Sequence, residues 1–251
     1  MITVITITCR EKAHLVTMAQ ALVGNLEALG GKDTIQWVVV DELVKDRRAA
    51  VAEAVGDAFE LEHIPAPPSP HRAAGLPDHN RARNAGLAAA RGSYVVLLDD
   101  DHIPCPSWLL GIATVAAAGL GFHSPYRGAS SGDRDGMVQG LDRRGVLLPR
   151  QATAAAGPCW GASRAAFDKI GGFDEAYGGE YGYNDIDTCV RLERAGVNFV
   201  ATGLSWVLRI RPPGSRDDVT ADKKAQRGRR SRQLFNDLVR DRFRILPRTT
   251  S

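Results

Sequence analysis

The sequence predicts one α/β domain in which helices cover both faces of a mainly parallel sheet. Strand-like and helix-like segments alternate from residue 2 to about residue 118, an order typical of βαβ units. The run Tyr94–Leu98 is apolar without alternation, as expected for a strand buried on both faces. With 251 residues and 44% hydrophobic content, the chain is large enough to bury a full core.

Each element follows from a local pattern. Runs of β-branched and aliphatic residues predict early strands at residues 2–7, 36–40 and 60–64. Amphipathic spacing predicts helices at residues 11–29, 46–55, 81–90, 108–118, 164–170 and 186–195. The four prolines between Pro65 and Pro70 predict a loop. Residues 123–150 are rich in glycine and charge, which predicts either an active-site loop or a surface hairpin.

The composition is that of a globular enzyme and excludes several other classes. A formal net charge of +3 is too small to indicate a polyanion partner by itself. The four cysteines form no C-x-x-C pair, so neither a zinc knuckle nor a disulfide framework is predicted. The pattern of a signal peptide is missing at residues 1–8, and no segment is long and apolar enough to span a bilayer. We therefore expect a cytoplasmic protein with reduced thiols.

An acidic cluster, Asp99, Asp100 and Asp101, follows the predicted strand Tyr94–Leu98 directly. Ligands of open α/β sheets bind at the carboxyl ends of the strands. Three adjacent carboxylates in a buried turn repel one another unless a cation or hydrogen-bond donors compensate them. The cluster is therefore either a divalent metal site or a solvated turn that caps the next helix.

Three sequence blocks stand in the order found in a known family. The first runs from Ala-Arg-Asn-Ala-Gly-Leu at residues 82–87, through Ala-Arg-Gly-Ser-Tyr at 90–94, to Leu-Leu-Asp-Asp-Asp at 97–101. The second is Gly-Gly-Phe-Asp-Glu at 171–175, and the third is Asn-Asp-Ile-Asp at 184–187 with Arg191 and Leu192. Their order and spacing over roughly residues 2–203 resemble the GT-A-fold, nucleotide-sugar-dependent glycosyltransferases, in particular the inverting family 2.

The resemblance implies a nucleotide-sugar donor, with a UDP-sugar favoured, and Mn²⁺ or Mg²⁺ as cofactor. The positions that match donor-binding residues of the family are Thr8, Arg10, Asp41, Arg83, Asp99 and Asp100. Asp99 and Asp101 match the metal-binding acids of its D-x-D pattern, and Asp41 matches the acid that binds the nucleobase. For Arg83, a solvated helix arginine is the alternative interpretation.

The resemblance also implies a general base that removes the proton of the acceptor hydroxyl. Asp185 matches that position and is the predicted catalytic residue, although an Asp at a helix start also commonly caps the helix. Asp187 and Arg191, four residues apart, are expected to form a supporting ion pair. The predicted acceptor-binding residues are Trp160, Gly161 and Glu180.

The chain departs from the family pattern at several positions. Asn184 stands where the family usually has Glu, and residues 205–213 lack the late His that completes the metal site in many relatives. His102 follows the acidic cluster and is interpreted as a solvent-facing turn residue, with assistance to the metal as the alternative. After Asp41, the second Asp and the Gly-Ser of the family are also missing.

A basic segment follows the motif region. Six Lys and Arg residues lie between Lys223 and Arg232, and apolar residues at amphipathic-helix spacing come next. The sequence therefore predicts a GT-A domain at residues 1–215 and a basic helical extension packed on it at residues 216–251. The basic residues are interpreted as a solvated face, or as a site for an anionic acceptor, a lipid surface or nucleic acid.

The predicted function is metal-dependent transfer of a sugar to an acceptor hydroxyl with inversion. A nucleotidyltransferase is the alternative enzyme, but residues 8–11 are not the Gly-rich phosphate loop that it needs after the first strand. A non-catalytic module that binds nucleic acid or membrane through the basic segment is the alternative outside enzymes. A further hypothesis combines the two, with a nucleic acid as the sugar acceptor.

Overall fold

The structure, a computed structural model, describes residues 1–11, 13–29, 35–76, 78–128, 147–180, 182–210 and 221–244. Its strands are β1 (Ile2–Thr8), β2 (Ile35–Asp41), β3 (Glu60–Pro65), β4 (Tyr94–Leu98), β5 (His102–Pro104), β6 (Gly121–His123), β7 (Tyr126–Gly128), β8 (Leu147–Arg150), β9 (Cys159–Ser163), β10 (Phe199–Thr202) and β11 (Val207–Arg209). None of the described helices is long and apolar enough to cross a membrane.

The helices are α1 (Leu15–Leu29), α2 (Val44–Val55), α3 (Pro70–Ala73), α4 (His79–Ala89), α5 (Trp108–Ala117), α6 (Ala152–Ala155), α7 (Arg164–Ile170), α8 (Asn184–Arg194) and α9 (Ala221–Arg244). The helices predicted from residues 11, 46, 81 and 186 thus begin within four residues of those positions. The glycine-rich and charged segment at residues 123–150 was predicted to be an active-site loop or a hairpin. Its two ends contribute to β6, β7 and β8, while residues 129–146 and the domain boundary at residue 215 lie outside the described residues.

Eight strands form the main sheet in the order β3-β2-β1-β4-β9-β6-β10-β8. The first four are parallel, and β6 and β10 run in the same direction. Only β9 and β8 among these strands are reversed. The prediction of a mainly parallel sheet between helices is confirmed. A small second sheet, β5-β11-β7, was not expected from the sequence.

The sheet separates two hydrophobic clusters. Trp37 and Val39 of β2 pack into one of them, with α1 and α5. Their neighbours Val38 and Val40 pack into the other, with α4, α7 and α8. Successive side chains of a strand point to opposite faces, so an uninterrupted apolar run can supply both clusters. Burying each such side chain contributes about 1.5–3 kcal/mol.

Two glycines allow close approaches that position the site. A Cβ at Gly86 would lie 2.6 Å from Cγ2 of Ile5, so this glycine lets α4 pack directly on β1. A Cβ at Gly161 would collide with the backbone carbonyl oxygen of Val95, so Gly161 lets β9 pair with β4. Close packing therefore explains why Gly86 of the first sequence block has no side chain.

The side chain of Arg191 joins the second and third sequence blocks. Arg191 Nε lies 2.8 Å from Asp187 Oδ2, which confirms the expected ion pair. Its Nη1 donates to the carbonyl oxygens of Ile170 and Gly172 at 3.0 and 2.8 Å. The first block is joined to the second by Asn84, whose side chain exchanges two hydrogen bonds of 2.9 Å with the backbone of Phe173.

Replacing Asp187 with Ala should lower the free energy of unfolding by about 3–5 kcal/mol, because Arg191 would remain partly buried without its partner. The side chain of Asp187 is 2% exposed. A matched control is Asp168→Ala, since Asp168 pairs with Arg164 at the same helical spacing but is 59% exposed. We expect the control to lose less than about 1 kcal/mol. Urea denaturation measures both, and equal losses would contradict the assignment.

Candidate active site

Thr8, Asp41 and the acidic cluster meet where parallel strands end. Thr8 and Asp41 are paired at the ends of β1 and β2, and the acidic cluster follows the end of β4, which pairs with β1. The carboxyl edge of an open α/β sheet is the usual place for a ligand. The structure therefore brings together side chains that are far apart in the sequence.

Asp100 points into the protein and holds two neighbouring residues. Its Oδ2 accepts a hydrogen bond of 2.6 Å from Thr8 Oγ1, and its Oδ1 lies 2.9 Å from Arg10 Nη1. Burial raises the pKa of Asp100, although the Arg10 charge and the Thr8 bond oppose this. Its contacts position Thr8 and Arg10 at the mouth of the site, where 44% of the Arg10 side chain is exposed.

Asp101 is the most strongly charge-compensated member of the cluster. Its Oδ2 lies 3.0 Å from Arg10 Nη1 and 3.6 Å from Arg209 Nε, and its Oδ1 lies 2.6 Å from His102 Nδ1. Burial alone would raise the pKa of Asp101, but His102 and Arg10 outweigh burial and hold it below its ordinary value. Asp101 is therefore ionised throughout the neutral range.

The surroundings of Asp99 raise its pKa, whereas those of Asp101 lower it. Burial raises the pKa of Asp99 to about 8, and the charges of Asp185, Asp101 and Asp100 act in the same direction, while Arg83 opposes them. Asp99, Asp101 and His102 form a group whose possible ligand atoms all lie within 4.8 Å of one another. A divalent cation is the partner that would relieve this concentration of negative charge.

His102 was expected to face the solvent, but it is buried. It is 3% exposed, because it begins β5 and its ring contacts Tyr126 edge to face at a centroid distance of 5.8 Å. The expectation was wrong because the chain after the acidic cluster enters the second sheet. That sheet depends on β11, more than a hundred residues later, and has no local sequence signal.

Asp41 is completely buried and its carboxylate is fully engaged. Oδ1 accepts from the backbone N of Leu43 at 2.8 Å and from Arg47 Nη2 at 2.6 Å, and Oδ2 lies 2.9 Å from His63 Nε2. Burial would raise the pKa of Asp41, but the His63 bond and the other partners lower it. Arg47 also donates to the carbonyl oxygen of Arg10. Sequence reasoning missed both partners, since His63 meets Asp41 through the pairing of β2 with β3 and Arg47 reaches it from α2.

Arg83 and the predicted base Asp185 form an ion pair. Arg83 Nη1 lies 2.6 Å from Asp185 Oδ1, and its guanidinium lies over the ring of Phe173 at 5.7 Å. The Arg83 side chain is only 6% exposed, so the alternative interpretation as a solvated helix arginine is wrong. Burial in the low-dielectric interior, supplemented by this cation–π contact, fixes the guanidinium in one orientation.

Asp185 is accessible enough to meet a substrate. Its side chain is 25% exposed, and it lies inside the first turn of α8, where Tyr183 occupies the cap position. Burial raises the pKa of Asp185, and Arg83 opposes this. In the amide orientation that satisfies both ends, Asn184 accepts a hydrogen bond of 2.8 Å from Arg83. A neutral amide thus stands beside the pair where the family usually has a second acid.

The predicted acceptor residues have different surroundings. Trp160 is completely buried and packs with Phe167 and Phe173 at centroid distances of 6.1 Å. Gly161 is closed off by β4. Both therefore have the surroundings of core residues, and an acceptor would not reach them without a rearrangement. Glu180 is partly exposed, and its Oε2 has no hydrogen-bond partner among the described residues.

The basic helix α9 packs beside the start of α8. The rings of Phe235 and Tyr183 lie 5.5 Å apart, and Ser231 is completely buried. Arg229, Arg230 and Arg232 are exposed. Since α-helices rise about 1.5 Å per residue, these three arginines lie within about 10 Å of Phe235 along the helix axis.

The fold is similar to that of TarS from S. aureus. The TarS fragment 1–349 superimposes with a TM-score of 0.62 at 15% identity, covering 83% of this chain and 60% of that one. The same fragment in complex with UDP-GlcNAc gives a TM-score of 0.64 at 14% identity, over 85% and 59%. A longer TarS structure gives 0.62 at 15% identity, over 84% and 37%. This chain thus covers about 60% of the TarS fragment and 37% of the longer TarS chain.

The sequence comparisons agree with this fold. No curated protein matches the sequence. Residues 3–171 match the sequence profile described as Glycosyl transferase family 2. That range covers more than half of the chain and contains the first sequence block with its acidic cluster. The chain therefore belongs to glycosyltransferase family 2.

Proposed function

We propose that this protein is a metal-dependent, inverting glycosyltransferase that moves a sugar from a nucleotide diphosphate sugar to an acceptor hydroxyl. The observation that carries the proposal is the ion pair of Asp185 with the buried Arg83. It places an accessible carboxylate with a raised pKa beside the acidic turn of β4. Family membership favours this function over the nucleotidyltransferase considered from the sequence.

The donor is proposed to bind along the carboxyl edge of the sheet. Thr8, Arg10, Arg83, Asp99 and Asp100 are the residues proposed to hold it. Asp41, whose carboxylate is fully engaged, is proposed to support them through Arg47, which also donates to the carbonyl oxygen of Arg10. Asp99 and Asp101 would hold Mn²⁺ or Mg²⁺, which when bound neutralises the charge of the diphosphate leaving group. A UDP-sugar is favoured because the similar TarS fragment was solved in complex with UDP and with UDP-GlcNAc.

The proposed catalytic step relies on Asp185. The Asp185 carboxylate takes the proton of the acceptor hydroxyl as the hydroxyl oxygen attacks the anomeric carbon. The bond between that carbon and the nucleoside diphosphate breaks in the same step. Arg83 holds the carboxylate in position at 2.6 Å and opposes the rise of the Asp185 pKa that burial causes. A single attack from the face opposite the leaving group inverts the anomeric configuration. Glu180, near the same helix start in the sequence, is proposed to contact the acceptor.

The acceptor is proposed to carry negative charge. The exposed arginines of α9 lie on a helix that contacts the residue two positions before Asp185. An anionic acceptor held along this face would extend toward the proposed base. A nucleic acid is one acceptor of this chemistry, and the sequence carries no base-reading motif that would favour it over other polyanions.

Replacing Asp185 with Asn should reduce turnover by about 10²–10⁴-fold, because the amide cannot accept the proton. Hydrolysis of UDP-GlcNAc with Mn²⁺, in which water replaces the acceptor, measures the effect through release of UDP. Binding of UDP, followed by calorimetry, should remain within about threefold. Asp168→Asn, an exposed acid outside the site, is the control. Unchanged hydrolysis in Asp185→Asn would contradict the proposed base.

The pH profile should depend on Arg83. Asp185 acts only when it is deprotonated, so activity falls as the pH drops through its pKa. This pKa is raised, so the acidic limb should lie above the ordinary value of about 4 for Asp. Arg83→Met removes the charge that opposes the rise and should move the limb to higher pH, whereas Arg83→Lys should move it less. A limb that stays in place in Arg83→Met would exclude Asp185 as its origin.

Replacing Arg229, Arg230 and Arg232 together with Gln should weaken binding of a fluorescent inorganic polyphosphate by about 10-fold or more and flatten its salt dependence, because fewer counterions are released. UDP binding should not change. Arg91→Gln is the control, since Arg91 is an exposed arginine that precedes β4 at the opposite edge of the sheet. If Arg91→Gln and the triple variant weaken binding equally, the α9 face is not the anion site.

A further inference from the structure

We propose that His102 is the third protein ligand of the divalent cation, together with Asp99 and Asp101, and that its nitrogen makes the site select Mn²⁺ over Mg²⁺. The inference rests on the metal dependence proposed above. It goes beyond that proposal because His102 has no counterpart among the acids of the D-x-D pattern.

The first support is the geometry of the three side chains. One carboxylate oxygen of each aspartate and one ring nitrogen of His102 lie within 4.8 Å of one another. Divalent cations hold their ligands at roughly 2 Å, so two ligand atoms of one ion lie about 3–4 Å apart. The group therefore needs only small adjustments to close around one ion.

The second support is the state of the imidazole. His102 is 3% exposed, and its Nδ1 lies 2.6 Å from Asp101 Oδ1. Its Nε2 has no hydrogen-bond partner among the described residues, and a buried polar atom without a partner costs about 1–3 kcal/mol. The ring is thus held against a carboxylate that is itself a proposed ligand of the cation.

The third support is that the fold fixes the direction of the ring. The backbone N of His102 donates to the carbonyl oxygen of Asp99 at 3.1 Å, which closes a tight turn around the acids. His102 then pairs with Arg209 of β11 in the second sheet, and Tyr126 contacts the ring edge. A ligand held by a strand on one side and a turn on the other is positioned before the ion arrives.

The neighbouring arginines do not block the oxygen of Asp101 that faces His102. Arg10 and Arg209 both approach Oδ2, whereas His102 faces Oδ1. One oxygen of Asp101 can therefore bind the ion while the other keeps its ion pairs. An imidazole ligand suits first-row transition metals, whereas Mg²⁺ strongly prefers oxygen. The ligand set thus predicts selection of Mn²⁺ over Mg²⁺.

The direct test is pulsed electron paramagnetic resonance of Mn²⁺ bound to the full chain with excess UDP. Coupling of the electron spin to a ¹⁴N nucleus reports a nitrogen ligand. We expect this coupling in the wild type and not in His102→Gln. The control His123→Gln removes another buried imidazole, which bonds the carbonyl oxygen of Ala155, and should keep the coupling.

Metal affinities provide the second measurement. Calorimetry should show that His102→Gln binds Mn²⁺ at least about 10-fold more weakly than the wild type does. The affinity for Mg²⁺ should differ less than about threefold between the two proteins. Equal losses for both ions would show that His102 only supports the fold or Asp101.

The wild-type spectrum separates the two proposals. Bound Mn²⁺ without ¹⁴N coupling would overturn the role of His102 and leave the metal-dependent transferase standing. A wild type that binds no Mn²⁺ in the presence of UDP would overturn both. Coupling that persists in His102→Gln would assign the nitrogen to another residue and would also refute this inference.

Discussion

The structure of the site depends on how three adjacent carboxylates, two of them buried and one partly buried, are tolerated at the end of one strand. Asp100 is held by Thr8 and Arg10, and Asp101 by Arg10, His102 and Arg209. Burial and the other acids raise the pKa of Asp99 to about 8, whereas the pKa of Asp101 is lowered. The arginines that pair with the cluster, Arg10 and Arg209, thus lie at Asp100 and Asp101, while Asp99 lies among the negative charges of the other acids. That asymmetry favours a cation bound from outside.

The general architecture could be predicted because its signals are local. The apolar runs of β1, β2 and β4 indicate strands buried on both faces, and the acids and glycines after them mark the edge where ligands bind. The candidate base and the donor residues were named from short motifs with fixed spacing. Asp187 and Arg191 meet as expected because a helix brings positions four apart onto one face.

The rest depends on contacts between distant parts of the chain. The burial of His102 requires β11, and the burial of Arg83 requires Phe173 and Asp185. Trp160 was predicted to bind the acceptor, yet β9 runs antiparallel to its neighbours in the centre of the sheet and its indole is completely buried in the core. The hydrophobic pattern of a strand does not indicate which strand will be its neighbour in the sheet. The burial of residues such as Trp160 therefore could not be predicted from the sequence.

The reversed strand β9 also divides the molecule by origin in the chain. All four strands on one side of it, β3, β2, β1 and β4, come from residues 2–98, while β6, β10 and β8 on the other side come from later segments. The half that carries the proposed nucleotide pocket is thus nearly continuous in the gene. Sequence changes downstream of β4 would therefore leave the four strands β1 to β4 unaltered.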